Sequence, residues 1–466
     1  MKLKLIVLFL TTITYSQNRD FSYTTGTGFN ATSGTTNDNI YSSAIQSDGK
    51  IIVAGKLSSY NGNTINNLVR INTNGTIDNV FNSNLGTGFN FETIKVALQT
   101  DGKIIVLFGS SSTNPTFNNN SVKKIIRLNS NGTIDNTFNY YKNTNNSGVI
   151  FNPNAIKILS DGKILVGDES GVIRVNSNGT LDSSFNTGIT TNFSRINCFS
   201  IDINNKILVG GTFTSYNGQN TKRLIRLNSN GTIDNTFNIG TGFESTSSSD
   251  GIKSMVMQSD NKILIGGDVT MFNGSSIPKV IRLNIDGSVD STLNFTETIF
   301  DNDLNEISLQ SNGSFIVIGR STSLPRVSIA RFWANGQNDN SLNISSRFFG
   351  YDITKMHIQT DGKFILLGEF YDFDSNVVNG ILRISNPVLS NENFNAETIK
   401  VYPNPVNNFL YIENIKDSNY EIYDITGKRV LNGINNQINV SSLENGVYFL
   451  KVTLEENILT QKFIKE

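Results

Sequence analysis

The sequence predicts an all-β protein: a seven-bladed β-propeller of four-stranded blades, then a small Ig-like β-sandwich. Three observations predict it. The run Gln46-Ser47-Asp48-Gly49-Lys50-Ile51-Ile52-Val53 returns at Gln99 to Val106, Leu159 to Val166, Asp202 to Val209, Gln258 to Ile265, Gln310 to Val317 and Gln359 to Leu366. A second run, Arg70-Ile71-Asn72-Thr73-Asn74-Gly75-Thr76-Ile77-Asp78-Asn79-Val80-Phe81-Asn82, returns around Arg127, Arg174, Arg226, Arg282 and Arg331, and is cut short after Arg383. The two alternate with a period of about 50 residues, the range of repeats that stack into rings or solenoids. Beyond residue 400 the period is replaced by short alternating runs between Asn, Gly and Asp turns, the pattern of a small antiparallel sandwich.

In chain order, the first segment carries Lys2 and Lys4, an apolar run from Leu5 to Leu10 fading to Ile13, then Thr14-Tyr15-Ser16-Gln17. A basic start, a short apolar stretch and small residues before a cut site describe a secretory signal peptide over 1–16. The apolar run is about half the ~20 residues of a membrane-spanning helix, so no transmembrane segment is expected.

Residues 17–386 carry the repeat. In each copy a run such as Glu92-Thr93-Ile94-Lys95-Val96-Ala97-Leu98 leads into an Asp-Gly turn and a second apolar run. Asp-Gly is favoured in tight hairpins because both residues tolerate positive φ. A variable hairpin follows, then Ile125-Ile126-Arg127-Leu128-Asn129, the Asn131-Gly132 turn, and Thr133 to Phe138. Four short strands per copy cannot bury both sheet faces alone, so copies must stack on one another. The last copy stops at Ile384-Ser385, lacking its Asp and Phe strand, while Asn18-Arg19-Asp20-Phe21-Ser22 stands alone at the start. That strand is expected to complete the last blade and close the ring, removing exposed edges.

The repeat resembles the delta-60 repeat family in its Asp-Gly-Lys, Arg-Leu-Asn and Asn-Gly-Thr-Asp-Phe elements over about residues 20 to 386. Departures are local: Ser314 replaces the repeated Lys, Asn204-Asn205 and Asp260-Asn261 replace Asp-Gly, and the third copy has a short inner hairpin from Lys163 to Arg174. The resemblance implies a propeller and no particular activity.

The stretch 387–400 reads as a linker, opened by Asn386-Pro387. Residues 401–466 resemble the type A sorting domain of the type IX secretion system of Bacteroidetes. The resemblance rests on Tyr402-Pro403-Asn404-Pro405, the turn Asp424-Ile425-Thr426-Gly427-Lys428, Leu443-Glu444-Asn445-Gly446-Val447-Tyr448 leading to Lys451, and the terminal Gln461-Lys462-Phe463-Ile464-Lys465. It implies an address read by an outer-membrane translocon, with the passenger delivered through the periplasm to the surface or the medium.

Composition then limits the chemistry. Thirty-eight basic and 39 acidic side chains give a net charge of −1, so no basic field invites nucleic acid. One His and one Cys exclude zinc sites built from several such ligands, and any intrachain disulfide. His357 and Cys198, each in the first strand of a repeat, are expected in structural roles, and no catalytic residue is assigned. Asn, about one residue in seven, collects at the turns. The run Asn129-Ser130-Asn131-Gly132-Thr133-Ile134-Asp135 offers oxygens to calcium, yet lacks the bidentate Glu of an EF-hand, and turn chemistry explains it without a cofactor. The repeated Lys, Arg and Asp are expected to pair with one another, which leaves function to positions where repeats differ.

The expected role is a monomeric binding or scaffold module at the cell surface or beyond. Its partners would be the type IX translocon and an extracellular protein or glycan, held by the variable hairpins. Tyr60, Phe117, Tyr216 and Phe272 in those hairpins could stack on a ligand, or pack on a neighbouring blade. The alternatives are a carboxylate-based hydrolase or lyase acting on polysaccharide, for which Asp301-Asn302-Asp303 is the nearest acidic group, and a structural surface or motility component.

Overall fold

The computed structural model describes residues 19–385 and 401–466, except 30, 33–34, 37, 110–114, 141–152, 191–193, 246, 248, 296–299, 301–302, 323–326, 343, 413–418, 426–427 and 455–456. The signal peptide, the linker and Gly427 therefore lie outside the described residues. The chain divides after Asn386 into two compact units.

In the first unit, seven antiparallel sheets among the described residues share one plan. In the first sheet Asn39–Ile45 pairs with Ile51–Lys56, which pairs with Leu68–Ile71. The last sheet repeats the plan with Phe348–Ile358, Phe364–Phe373 and Ile381–Ile384. Middle strands are buried on both faces, as in Ile51-Ile52-Val53-Ala54. Their two faces serve different neighbours. Ile51 and Val53 pack with Ile365, Leu367 and Ile381 of the last sheet, whereas Ile52 and Ala54 pack with Val96, Ile104 and Val106 of the second. The core is thus a series of apolar wedges between consecutive sheets, which is why these strands read as unbroken apolar runs.

The fourth strand expected in each copy is reduced to one isolated bridge, such as Leu128 with Ile134 and Leu227 with Ile233. The cause is the Asp that follows. Asp135 accepts hydrogen bonds at Oδ1 from the N–H (2.9 Å) and hydroxyl (2.6 Å) of Thr137, and this local turn pulls the backbone off the ladder. Asp78 has no hydroxyl two residues on; it caps the short helix Asn79–Asn84 through the Phe81 N–H instead.

The ring closes through the N-terminal segment. Arg19 bridges Ile384, and the Asp20 N–H donates to the Arg383 carbonyl at 2.9 Å. Asp20 accepts from Ser22 just as Asp135 does from Thr137. The strand Phe348–Ile358 lies beside Asn39–Ile45, and the His357 ring meets the Ser43 hydroxyl at 2.8 Å across that seam.

The second unit holds two sheets. One joins Val401–Tyr402, Phe409–Ile412 and Gln437–Asn439; the other orders Arg429–Ile434, Asn419–Asp424, Gly446–Leu454 and Asn457–Lys465. Leu410, Ile412 and Ile438 of the first pack on Ile422, Leu450, Val452 and Phe463 of the second.

Candidate functional site: the axial channel

The repeated charges account for one another. Asp78 Oδ2 receives Lys50 Nζ at 2.8 Å and Arg70 Nε at 3.0 Å; Asp234 receives Lys206 at 2.8 Å and Arg226 at 2.7 Å. In the last sheet Lys363 and Arg383 take their carboxylate from Asp20, both at 2.9 Å. Arg70, Arg127, Arg174, Arg226 and Arg282 also reach a turn carbonyl of the next sheet, at Ser130, Ser177, Ser229, Ile285 and Ala334, and Arg383 reaches Thr73 of the first. Arg70 lies 4.1 Å over the Phe81 ring and Arg383 4.6 Å over Tyr23, so Tyr23 fills the repeat's Phe position, three residues after the Asp. Burial alone would raise these carboxyls. Hydrogen bonds from the neighbouring Ser or Thr and the Lys outweigh it, holding Asp20, Asp135, Asp182, Asp234 and Asp290 well below the usual range.

The calcium-like turn is similarly occupied. Asn131 Oδ1 accepts from the Thr133 N–H (3.1 Å) and hydroxyl (2.8 Å), and Asp135 is held by Lys103 and Arg127. The four hairpin aromatics are buried. Tyr60 packs on Phe29 (4.9 Å between ring centres), Phe117 on Phe89 (4.8 Å), Phe272 on Phe243 (4.6 Å) and Tyr216 against Phe213 (6.3 Å). Their rings are consumed in the wedges between sheets and offer no stacking face. The glycines before Phe29 and Phe89 permit this approach: a Cβ on Gly88, at φ +66°, would stand 2.6 Å from Asn66 Cβ.

The innermost strands behave differently. In six of the seven sheets the register slips by one residue at the same place, between Ile40 and Ser42 in the first and between Ile353 and Lys355 in the last. A bulge re-aims the extra side chain. The six bulge residues, Tyr41, Ile94, Asn197, Lys253, Asn305 and Thr354, all line one cavity of about 380 Å³, joined by Asn154 from the third sheet. The residue after each bulge forms the next layer: Ser42, Lys95, Cys198, Ser254, Glu306 and Lys355, with Ala155 in the third sheet.

Every charged residue lining the cavity is cationic: Lys95, Arg195, Lys253 and Lys355. Three of them have carboxylates behind them. Lys253 Nζ lies 2.7 Å from Asp268 and 3.1 Å from Asp303, Lys355 lies 2.8 Å from Glu306, and Arg195 lies 3.8 Å from Glu169. Lys95 has no hydrogen-bond or ion-pair partner among the described residues, and burial, with the Lys355 charge, lowers its ammonium to about 8. Burial pushes the Cys198 thiol to about 12, lowers His357, and raises Asp352 to about 7 against the Asn305 amide that donates to it at 2.8 Å. Repeat reasoning missed Lys95, Lys253, Glu306 and Lys355. Lining up the first strands would have flagged the column Ser42, Lys95, Ala155, Cys198, Ser254, Glu306, Lys355, where the copies disagree most in charge.

In the second unit, the motif residues brace the sandwich. Asn404 Oδ1 accepts the Ile464 N–H at 2.8 Å, pinning the Tyr402–Pro405 segment to the terminal strand, and the Tyr402 ring stacks on Tyr411. Gly446 opens the long strand opposite Lys465, Tyr448 stacks on Phe463 with its hydroxyl on the Glu444 carbonyl, and Lys451 pairs with Glu421 at 3.4 Å.

Repeated antiparallel sheets joined through apolar wedges, with a sandwich after them, define a β-propeller protein with an appended C-terminal domain. Five stretches, 46–81, 99–138, 159–185, 204–237 and 258–293, match the family described as a β-propeller domain of unknown function, DUF5122. Residues 400–466 match the secretion system C-terminal sorting domain. The chain thus carries stretches that match the first family and a C-terminal segment that matches the second, a domain that implies secretion to the cell surface or exterior. Among solved structures it is similar to PorZ, a surface component of the type IX secretion system of Porphyromonas gingivalis (12% identity, TM-score 0.44, 91% of this chain and 56% of that one). It is also similar to the extracellular domain of a one component system from B. thetaiotaomicron (13% identity, TM-score 0.45, 97% and 60%). The chain spans under two thirds of the length of either. No curated protein matches it. No helix among the described residues is long and apolar enough to cross a membrane.

Proposed function

We propose that the protein is a secreted, monomeric, seven-bladed propeller acting as an extracellular binding module, with the N-terminal strand completing the last blade. Its Ig-like C-terminal domain is the type IX translocon's address, and its ligand site is the channel mouth. One observation carries the reading. The charges that recur from copy to copy are paired with one another within each copy, while residues that break the pattern converge on one polar cavity. Deleting Val401 to Glu466 should hold the protein in the periplasm, and surface delivery of the truncated chain would refute the export half. A glycan and protein array probed with the full mature chain tests the binding half; no ligand on either would refute it.

A second reading, a carboxylate-based hydrolase, is favoured by Asp352, which burial raises to about 7, one sheet away from Asp303, which Lys253 and Arg320 hold below the usual range. Against it, Asp303 is bound by both Lys253 and Arg320, and neither carboxylate lines the cavity. Polysaccharide cleavage lost in Asp352→Asn would establish the hydrolase.

A further inference from the structure

The cavity's lining favours one chemical class of ligand. Its charged groups are all cationic, its amides come from Asn154, Asn197 and Asn305, and Tyr41, Thr212, Ser249 and Thr354 add hydroxyls. The amide nitrogens of Asn197 and Asn305 are spent on Ile252 O (3.0 Å), Asp352 Oδ1 (2.8 Å) and Ile353 O (2.9 Å). Their carboxamide oxygens therefore remain as acceptors for ligand hydroxyls. Lys253 and Lys355 are neutralised by Asp268, Asp303 and Glu306, so the unmatched positive charge at the site is Lys95.

A half-buried amine at the cavity wall with no ion-pair partner of its own is unfavourable, and a carboxylate arriving from outside supplies what the fold withholds. The groups facing Lys95 are Lys355, Glu306 and Cys198, from the last, sixth and fourth sheets, so the Lys95 environment is assembled across the axis rather than within one sheet. A volume of about 380 Å³ lies at the low end of the roughly 300–1,000 Å³ of small-ligand sites, room for a single ring rather than a length of polymer.

We propose that the channel mouth binds an acidic sugar, with its carboxylate on the Lys95 ammonium and its hydroxyls on the bulge-residue amides and hydroxyls. This rests on the reading of the propeller as a binding module. One uncompensated lysine matches one carboxylate; a doubly charged phosphate would leave a negative charge unmatched.

Calorimetric titration of the full mature chain with D-galacturonate and D-glucuronate, each against its neutral hexose, tests the proposal. At pH 7 at least one uronate should bind about tenfold more tightly than its hexose, the difference one charge-assisted hydrogen bond makes. Lys95→Met should lose that advantage, and Lys95→Arg should keep it. Between pH 7 and 9 uronate binding should weaken roughly tenfold as Lys95 gives up its proton. Equal binding of uronate and hexose, unchanged uronate binding by Lys95→Met, or displacement by an acidic peptide at equal affinity would overturn it. An array ligand that binds wild type and Lys95→Met alike would leave the binding module standing and remove only this assignment; absence of any ligand would remove both.

Discussion

The two sets of lysines in this propeller face opposite circumstances. Lys50, Lys103, Lys163, Lys206 and Lys262 each share an aspartate with an arginine of the same sheet, and the arrangement recurs with distances near 3 Å. Lys95 sits at the axis without an ion pair of its own, the carboxylate that faces it, Glu306, being held by Lys355. A charge repeated in every copy meets the same neighbours in every copy, and the fold can neutralise it by rule. A charge that occurs once meets its neighbours only after the ring closes, and nothing in the repeat provides for it. Repetition here marks scaffold, and its failure marks the proposed site.

The largest effect should come from breaking the repeated set. Asp234→Ala leaves Arg226, 5% exposed at its side chain, with only the more distant Asp202 at 3.7 Å, and removal of the close partner from a buried pair costs about 3–5 kcal/mol. A melting scan should show it, and a loss below about 1 kcal/mol would reduce these staples to surface pairs. The pH dependence has a definite sign. The Asp234 carboxyl is depressed in the folded state, so its contribution is complete above the unfolded value near 4 and is lost as pH falls through the folded one. Wild type should therefore lose stability below about pH 4 more steeply than Asp234→Ala.

Substituting Lys95 should have the opposite effect on stability. Its ammonium is penalised by folding, so wild-type stability rises between pH 8 and about 10.5, where the unfolded chain holds a proton that the folded one has released. Lys95→Met should be more stable than wild type at pH 7 by about 1–3 kcal/mol, and should lack that rise. A destabilised Lys95→Met would mean that the amine has a partner after all.

The repeat, its turns and its charge pairing were legible because each depends on residues close in sequence. Asp-Gly and Asn-Gly turns act over four residues, and Arg70 and Asp78 are eight apart. The fourth strand was misjudged because apolar alternation through Ile134 says nothing of the Asp135 turn that ends the pairing. The cavity was not legible at all. Whether Lys253 points along the axis or into a wedge depends on a one-residue bulge, and the meeting of Lys95 with Lys355 depends on the closing of the ring. Tyr60 and Phe117 were open to either reading for a related reason: a hairpin aromatic is exposed or buried according to the sheet beside it.

Within the wedges, the buried tyrosines allow a finer comparison. Tyr60 donates to the Gly75 carbonyl at 2.6 Å, whereas the buried Tyr216 hydroxyl has no partner among the described residues. Tyr60→Phe should cost about 1 kcal/mol, and Tyr216→Phe should be neutral or stabilising, because it removes a polar group already stripped of water. Equal losses in both would show that the Tyr216 hydroxyl is satisfied.

The smallest effect concerns the copy in which the rule is already broken. In the sixth sheet Ser314 stands where the others have Lys, its hydroxyl turned to Gln310 (2.8 Å) and Asn312 (2.6 Å), and among the described residues Asp339 has Arg331, at 2.7 Å, as its one ion-pair partner. Ser314→Lys would restore the three-membered arrangement at a position where the other lysines are about 26–34% exposed. An ammonium exposed to about this extent gains little from an existing pair, so the increase should stay under about 1 kcal/mol and shrink with added salt. A larger gain would mean that the lysine is a principal member of each staple. A loss would mean that the sixth sheet has repacked around Ser314 and that the repeat's charges are not interchangeable between copies.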